Sequence, residues 1–310
     1  MNDSSFSRGR KTVNRTVKVQ APAKVNLHLE VVRQRHDGYH EIETVFQAVT
    51  LFDTVEVNLS DQYPGGQPNI TITVFPSGSA PEDETNLCWQ AARHFCREMG
   101  VSGDITIHLI KTIPSEAGLG GGSSDAAAVL KACDLLFETN LEDAKLEKLG
   151  SALGADVPFF IKGGTALGRG IGTILTAMPP VRTGQFLIAK PALRLKTAEV
   201  YGNLKMGLTV NSTKANIKVM KPILVRFPQD TWPGFNRLES VVLPQQPALQ
   251  RLVLHMQELA PVAMLSGSGS AVVAVFPDGQ DLDELVTELE TDGLFVRVVG
   301  PHASGVVVQG

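Results

Sequence analysis

The chain has 310 residues and a formal net charge of −4. Its 43% of hydrophobic residues exclude an intrinsically disordered protein, and at roughly 100–200 residues per domain the length predicts two domains. The acidic balance argues against nucleic acid as a main partner, and no run reaches the ~18 apolar residues of a membrane-spanning helix. Three cysteines without CxxC spacing indicate no disulfide framework, so we expect a cytoplasmic protein.

The first half of the chain mixes predicted strands and helices. Apolar and polar residues alternate, as is typical of strands, in Thr16–Gln20, Val25–Arg33, Thr54–Leu59, Ile70–Phe75 and Asp104–Lys111. Helical spacing of apolar residues predicts helices over Asn86–Met99, Ser124–Phe137 and Leu141–Leu153. Asn86 and Asn140 are the expected caps of the first and third helices, and Gly100 is expected to end the first.

The second half begins where the pattern breaks at Pro179-Pro180. Strands are predicted over Gln185–Lys190, Ala271–Phe276 and Leu294–Val299, and helices over Pro247–Leu259 and Asp281–Glu290. This alternation predicts an α+β fold. We expect a disordered polar extension over residues 1–15, a first domain over 16–180 and a second domain over 181–310, whose final strand pairs back to the first.

Eleven of the 29 glycines lie in three short segments, namely 118–122, 163–172 and 267–269. The first segment lies between a predicted strand and a predicted helix, an arrangement that offers unpaired backbone N–H groups and the positive helix end to a phosphate. It lacks the Gly-Lys-Ser/Thr ending of a Walker A loop and the acidic residue of a dinucleotide fingerprint. A flexible strand–helix turn is the alternative. The middle segment is expected to let backbone pass near the substrate.

Two polar residues and one carboxylate stand out in apolar surroundings. Lys24 and Asn26 lie two apart on one strand and hence on the same face. Asp156 interrupts an apolar stretch, where a carboxylate can act as a general base tuned by a nearby lysine. The alternatives are a solvated strand lysine for Lys24 and a helix cap or turn residue for Asp156. Asp125 is interpreted as a cap that complements the helix dipole.

Together these segments resemble the GHMP kinase superfamily from about Thr16 to Val299. The resemblance rests on Ala21–Leu29, Asp37–Glu41, Pro114–Ala126, Gly154–Phe160, Arg169–Gly172 and Leu265–Ser270. It implies a two-domain α+β fold, with a ribosomal S5 domain 2-like first domain and a ferredoxin-like α/β-plait second domain. Within the superfamily, the resemblance is to kinases that transfer phosphate from ATP, with Mg²⁺, to the 2-hydroxyl of 4-diphosphocytidyl-2-C-methyl-D-erythritol for isoprenoid synthesis.

The resemblance also assigns roles to residues. Lys24 and Asp156 match the catalytic pair, with Asp156 as the general base. The ATP-binding positions are Pro114, Ser115, Glu116, Ala117, Gly118, Leu119, Gly120, Gly121, Gly122, Ser123 and Ser124. The substrate-binding positions are Asn26, Tyr39, His40, Thr197 and Tyr201, and the phosphate-site supports are Gly267, Ser268 and Gly269. No metal ligand is assigned, although Mg²⁺ is expected near Ser123 and Ser124.

The expected partners are ATP and the cytidine substrate, with no nucleic acid and no membrane, and the expected state is a monomer or weak dimer. Another GHMP kinase, such as a mevalonate or homoserine kinase, is one alternative. The Asp37–His40 segment argues against it, because those enzymes bind no cytosine. A non-catalytic nucleic-acid-binding module is the other alternative, and the net charge argues against it.

Overall fold

The computed structural model describes residues 10–64, 66–204 and 234–309, and within them the chain forms two β-sheets with associated helices. The strands are β1 (Lys11–Gln34), β2 (His40–Pro64), β3 (Asn69–Phe75), β4 (Val101–Ile110), β5 (Thr165–Arg169), β6 (Ile174–Ala177), β7 (Gln185–Lys190), β8 (Phe235–Asn236), β9 (Val262–Leu265), β10 (Val272–Phe276), β11 (Phe295–Val299) and β12 (Val307–Gln309). The helices are α1 (Leu87–Met99), α2 (Gly121–Leu136), α3 (Asp143–Ser151), α4 (Val157–Lys162), α5 (Thr197–Gly202), α6 (Glu239–Val242), α7 (Pro247–Leu259) and α8 (Asp283–Thr291), with a 3-10 turn at Leu243–Gln245. This mixture confirms the predicted α+β class. No helix in these ranges is both long and apolar enough to cross a membrane.

Each sheet carries its own helices. The first sheet has the order β12-β1-β2-β4-β3, with β5 and β8 attached to β2 and β1 and with β6 attached to β5. Its core includes residues of α1, α2 and β2, such as Phe95, Leu130 and Val57. The second sheet is antiparallel with the order β11-β7-β10-β9, and residues of α7 and α8 such as Val253 and Leu289 share its core.

The first two predicted strands are one strand. β1 pairs with β2 on both sides of a register shift between Pro22 and Ala23. Such an irregularity changes which face each side chain occupies, so a single strand displays two separate runs of alternation. The chain turns back after β1 at Gly38, whose φ of +86° is a conformation that glycine adopts readily.

The start of β1 overturns part of the expected disordered extension. Residues 11–15 belong to β1, and Thr12 pairs with Asp61 on β2. The Thr12 hydroxyl donates to Asp61 Oδ1 at 2.7 Å, and Arg10 forms an ion pair with Asp61 at 2.8 Å. Pairing with β2 satisfies the backbone N–H and C=O groups whatever the side chains are. A polar sequence can therefore form a strand here. Residues 1–9 of the expected extension lie outside the described ranges.

Of the two predicted helix caps, one is confirmed and the other is wrong. Asn86 caps α1 by accepting from the amide of Cys88 at 2.9 Å, and Gly100 ends the helix at a φ of +67°, as predicted. The predicted cap Asn140 is wrong, because α3 begins later, after Glu142. Asp134 binds the amide of Leu141 at 2.9 Å and holds the preceding residues in a turn.

After it enters the second sheet, the chain returns twice to the first sheet. The predicted boundary at residue 180 falls between β6 of the first sheet and β7 of the second. β8 then pairs parallel with β1, and β12 pairs antiparallel with β1. The first sheet therefore contains strands from both halves of the sequence.

Candidate active site

Two of the three glycine clusters meet in space. One is in the loop that precedes α2 and the other is in the loop between β9 and β10. The hydroxyl of Ser266 donates to the carbonyl of Gly118 at 2.9 Å, and the amide of Ala271 donates to the carbonyl of Ala117 at 3.1 Å. A Cβ atom on Gly118 would lie 1.9 Å from the carbonyl oxygen of Ser266, so glycine is required for this approach.

Lys24 connects the first glycine loop to β1. Its Nζ donates to the carbonyl of Gly118 and to Oδ1 of Asn26, both at 2.8 Å. The side-chain amide of Asn26 donates in turn to Oγ1 of Thr44 on β2 at 2.7 Å. Burial lowers the pKa of Lys24, and the carboxylate of Asp156 partly opposes that shift. Lys24 and Asn26 thus share one face of the strand, as predicted from their spacing.

Asp156 lies next to Lys24, with its Oδ2 atom 3.7 Å from Lys24 Nζ. It lies in the turn before α4, at the N-cap position, but its side chain forms no capping hydrogen bond. The following residues Val157 and Phe159 are buried in the first core and fix the start of the helix. About a third of the Asp156 side chain is accessible, and it lines a cavity.

The predicted cytosine-binding residues come from both halves of the chain. The rings of His40 and Tyr201 lie 5.4 Å apart with 35° between their planes, and Thr197 Oγ1 lies 2.9 Å from Ser268 Oγ. Tyr39 is 62% exposed. Burial lowers the pKa of His40, which keeps its imidazole neutral at pH 7, and burial raises the pKa of Tyr201.

One cavity of about 1260 Å³ connects these groups. Its lining includes both predicted catalytic residues, all five predicted substrate-binding residues, every residue from Pro114 to Ser123, and Gly267 and Ser268. Gly269 lines a smaller adjoining cavity instead. The lining also includes the segments 78–81 and 85–87 before and at the start of α1. The sequence indicated only a helix cap there, at Asn86, and no binding residue.

The structure departs from the sequence interpretation at Ser124 and Asp125. Ser124 is fully buried on the inner side of α2 and does not line the cavity. Asp125 is not a cap, because Gly120 occupies the cap position of α2 at a φ of +73°. Its carboxylate instead forms an ion pair of 2.7 Å with Nζ of Lys111, which also binds Asp53.

Asp53, Lys111 and Asp125 form a buried ion cluster behind the first glycine loop. Oδ1 of Asp53 accepts from the amide of Ile113 at 2.8 Å, so the cluster ties the end of β4 to α2. Burial raises the pKa of Asp125, and the ammonium group of Lys111 opposes that shift. Sequence reasoning missed Asp53 and Lys111, since no local pattern shows that these distant residues meet.

Asn236 is another residue without a sequence signal. Its side-chain amide donates to the carbonyls of Leu265 at 2.9 Å and Gly267 at 2.7 Å, and its Oδ1 accepts from the amide of Leu238 at 2.9 Å. A Cβ atom on Gly267 would lie 3.4 Å from Lys24 Nζ. Asn236 therefore holds the glycine loop between β9 and β10 against Lys24.

The five glycines of the middle cluster do not line the cavity, although Ile171 of the same segment does. A Cβ atom on Gly163 would lie 2.2 Å from the backbone of Ser304 and Gly305, and the amide of Val306 donates to the carbonyl of Phe160 at 2.9 Å. The amide of Ile42, which also lines the cavity, donates to the carbonyl of Gly170 at 2.7 Å, so the expectation that this segment brings backbone near the substrate stays a prediction. Gly163 and Gly164 admit the carboxy-terminal segment on its way to β12.

Known proteins similar to this chain include kinases of one family. The family model of the GHMP kinases N terminal domain matches residues 86–164. A protein of Pelobacter propionicus named 4-diphosphocytidyl-2-C-methyl-D-erythritol kinase is 38% identical over 289 residues, covering 92% of this chain and 98% of that protein. A protein of the same name from Syntrophus aciditrophicus is 38% identical over 279 residues, covering 89% and 96%.

Solved structures that match this chain also include kinases. A crystal structure of 4-(cytidine 5'-diphospho)-2C-methyl-D-erythritol kinase matches with a TM-score of 0.74 and 33% identity, covering 91% of this chain and 99% of that one. A homoserine kinase from Cytophaga hutchinsonii, with a TM-score of 0.73 and 20% identity over 96% and 99% of the two chains, shares the fold. GHMP kinases use ATP as their phosphate donor. The chain has their two-domain α+β fold and, with sequence similarity that extends over most of its length, belongs to the 4-diphosphocytidyl-2-C-methyl-D-erythritol kinase family of enzymes.

Proposed function

We propose that this enzyme transfers the γ-phosphate of ATP to the 2-hydroxyl of 4-diphosphocytidyl-2-C-methyl-D-erythritol, giving the 2-phosphate and ADP in the non-mevalonate route to isoprenoid precursors. The observation that carries the proposal is the Lys24–Asp156 pair, which lines the same cavity as a glycine loop and the ring pair of His40 and Tyr201. A phosphate cradle, a base and a nucleobase pocket are the three parts that this reaction needs.

Asp156 is the proposed general base. Its carboxylate takes the proton of the substrate hydroxyl as that oxygen bonds to the γ-phosphorus, and the bond from the γ-phosphorus to the bridging oxygen of ADP breaks. Lys24 positions the carboxylate and offsets its charge from 3.7 Å. Because burial lowers the pKa of Lys24, its proton is also less firmly held than that of an exposed lysine.

The glycine loop before α2 is the proposed phosphate cradle. Its backbone N–H groups and the amino end of the 16-residue α2 favour negative charge. Mg²⁺, when bound, neutralises charge on the phosphates. The chain suits a metal carried mainly by phosphate and water, because no three His, Cys, Asp or Glu side chains of the described ranges form a metal-binding group. Ser123 and Asp156 line the cavity beside the loop and offer a hydroxyl and a carboxylate oxygen.

The cytidine is proposed to bind at Tyr39, His40 and Tyr201. Exposed Tyr39 offers a ring face for stacking, and neutral His40 offers one donor and one acceptor to a base edge. Asn26 and Thr197 are the proposed polar contacts to the rest of the substrate, and Gly267, Ser268 and Gly269 support the phosphate site.

The test is ADP release by the purified chain with three acceptors: 4-diphosphocytidyl-2-C-methyl-D-erythritol, mevalonate and homoserine. We expect turnover with the cytidine substrate and none with the other two. Turnover with mevalonate or homoserine alone would replace the proposed substrate, and no turnover with any of the three would refute the assignment.

A further inference from the structure

The described residues that line the large cavity include three basic side chains: Lys24, Lys111 and Arg194. Two of them are buried and already paired. Lys24 binds Gly118 and Asn26 beside Asp156, and Lys111 lies between Asp53 and Asp125. Substrates that together carry a triphosphate and a diphosphate bring much more negative charge than these committed cations can offset.

Arg194 differs from both lysines because it is accessible. It lies between β7 and α5, its side chain is 71% exposed, and its ion-pair partner is Glu116, at 3.8 Å across the cleft in the first glycine loop. An exposed pair at that separation is worth at most about 1 kcal/mol. The guanidinium can therefore exchange this partner for a better one at little cost.

The charge of Glu116 and the donors of Arg194 both favour this exchange of partners. Glu116 lines the cavity within the loop proposed to hold phosphate, where its negative charge would repel a phosphate chain. A guanidinium binds phosphate through two parallel N–H donors, a stronger interaction than a long pair with one carboxylate oxygen.

We propose that Arg194 leaves Glu116 when substrate binds and donates to a phosphate chain, either the triphosphate of ATP or the diphosphate of the cytidine substrate. This inference rests on the proposed function. The contact closes the cleft from the second half of the chain, opposite the glycine loop, so the substrate phosphates are held from both sides.

The alternative is that Arg194 only neutralises Glu116. A double-mutant cycle separates the two roles, because a neutralising arginine loses its purpose once Glu116 is uncharged. Four proteins are compared: the wild type, Arg194→Gln, Glu116→Gln and the double variant. Arg97→Gln is the matched control, since Arg97 is also 71% exposed and pairs with an exposed glutamate, Glu98, away from the cavity.

The measurement is the dissociation constant of ATP and, separately, of the cytidine substrate by calorimetry, together with turnover. We expect Arg194→Gln to raise the dissociation constant of at least one of the two ligands by roughly tenfold or more. The rise should occur in both the wild-type and the Glu116→Gln backgrounds. Weaker ATP binding assigns the contact to the triphosphate, and weaker binding of the cytidine substrate assigns it to the diphosphate. Arg194→Lys should fall in between, because it keeps the charge without the paired donors.

Two results would overturn the inference: unchanged dissociation constants in Arg194→Gln, or a loss that disappears in the Glu116→Gln background. The wild type in the same series separates this outcome from failure of the proposed function. If the wild type binds ATP without phosphorylating the cytidine substrate, the function is wrong, while the effect of Arg194 on ATP binding is still measured.

Discussion

The ammonium nitrogen of Lys24 lies 3.7 Å from Oδ2 of Asp156, within range of charge pairing but beyond a normal hydrogen bond. Lys24 makes its short contacts to Gly118 and Asn26 instead, both at 2.8 Å. The lysine therefore stabilises the charge of Asp156 without occupying the carboxylate with a short hydrogen bond. That is a suitable arrangement for a base that must accept a proton from substrate.

Replacing Asp156 with Asn should abolish the base while preserving the shape of the site. We expect kcat to fall by ~10²–10⁴-fold, the usual contribution of a general base, with ATP affinity retained. Steady-state turnover and nucleotide titration measure the two quantities. Asp143→Asn, on the half-exposed side chain that begins α3, is the control and should behave as wild type. Near-normal turnover of Asp156→Asn would remove Asp156 from this role.

Replacing Tyr39 with Ala should weaken the binding of the cytidine substrate but not the binding of ATP. Stacking of a base on an aromatic ring is worth ~1–3 kcal/mol, so KM for that substrate should rise by roughly 5- to 150-fold while KM for ATP stays unchanged. Tyr63→Ala, near the far end of β2, is the matched control. An equal rise of both KM values would show that Tyr39 acts on the whole cleft rather than on the base.

Replacing Asn236 with Ala should destabilise the glycine loop between β9 and β10. Two buried carbonyls, those of Leu265 and Gly267, lose their donor, and a lost buried hydrogen bond costs ~1–3 kcal/mol of unfolding free energy. Because Gly267 lies against Lys24, kcat should fall as well. Urea unfolding and turnover are measured together, with Asn58→Ala as the control, since the Asn58 amide bonds an exposed threonine. Wild-type stability and kcat in Asn236→Ala would contradict the positioning role.

The free energy of unfolding should fall as the pH rises towards neutrality, because the buried carboxyl group of Glu239 then loses its proton. Its carboxyl group accepts from the amide of Leu265 at 2.7 Å, and burial raises its pKa from 4.5 to about 7. The folded chain therefore keeps a proton that the unfolded chain loses above about pH 4.5. The resulting stabilisation is complete below that pH and is lost as the pH rises through about 7.

Glu239→Gln should remove this dependence while keeping an acceptor for Leu265. The free energy of unfolding of the wild type, relative to that of the variant, should fall by up to about 3 kcal/mol between pH 4.5 and pH 8. Urea unfolding at the two pH values measures the difference, with exposed Glu258→Gln as the control. A difference between wild type and Glu239→Gln that is the same at both pH values would refute the prediction.

Features that depend on neighbours a few residues away could be predicted from the sequence. The cap of α1 at Asn86, the end at Gly100 and the bounds of α7 all follow from local hydrogen bonding and periodicity. The glycine loop before α2 was visible for the same reason. Pairing Lys24 with Asp156 required the family resemblance, because no local rule brings those two residues together.

Tertiary structure alone decided the contacts between distant parts of the chain. The carboxylate of Asp125 pairs with Lys111, Asn236 holds Gly267, and Gly163 and Gly164 admit the carboxy-terminal segment. None of these leaves a periodic or local mark in the sequence, since a buried charge or a close backbone approach is set by whichever segment the fold brings alongside. The amino acids thus determined the local elements and the chemistry available, while the packing of the two halves decided which side chains face the cavity.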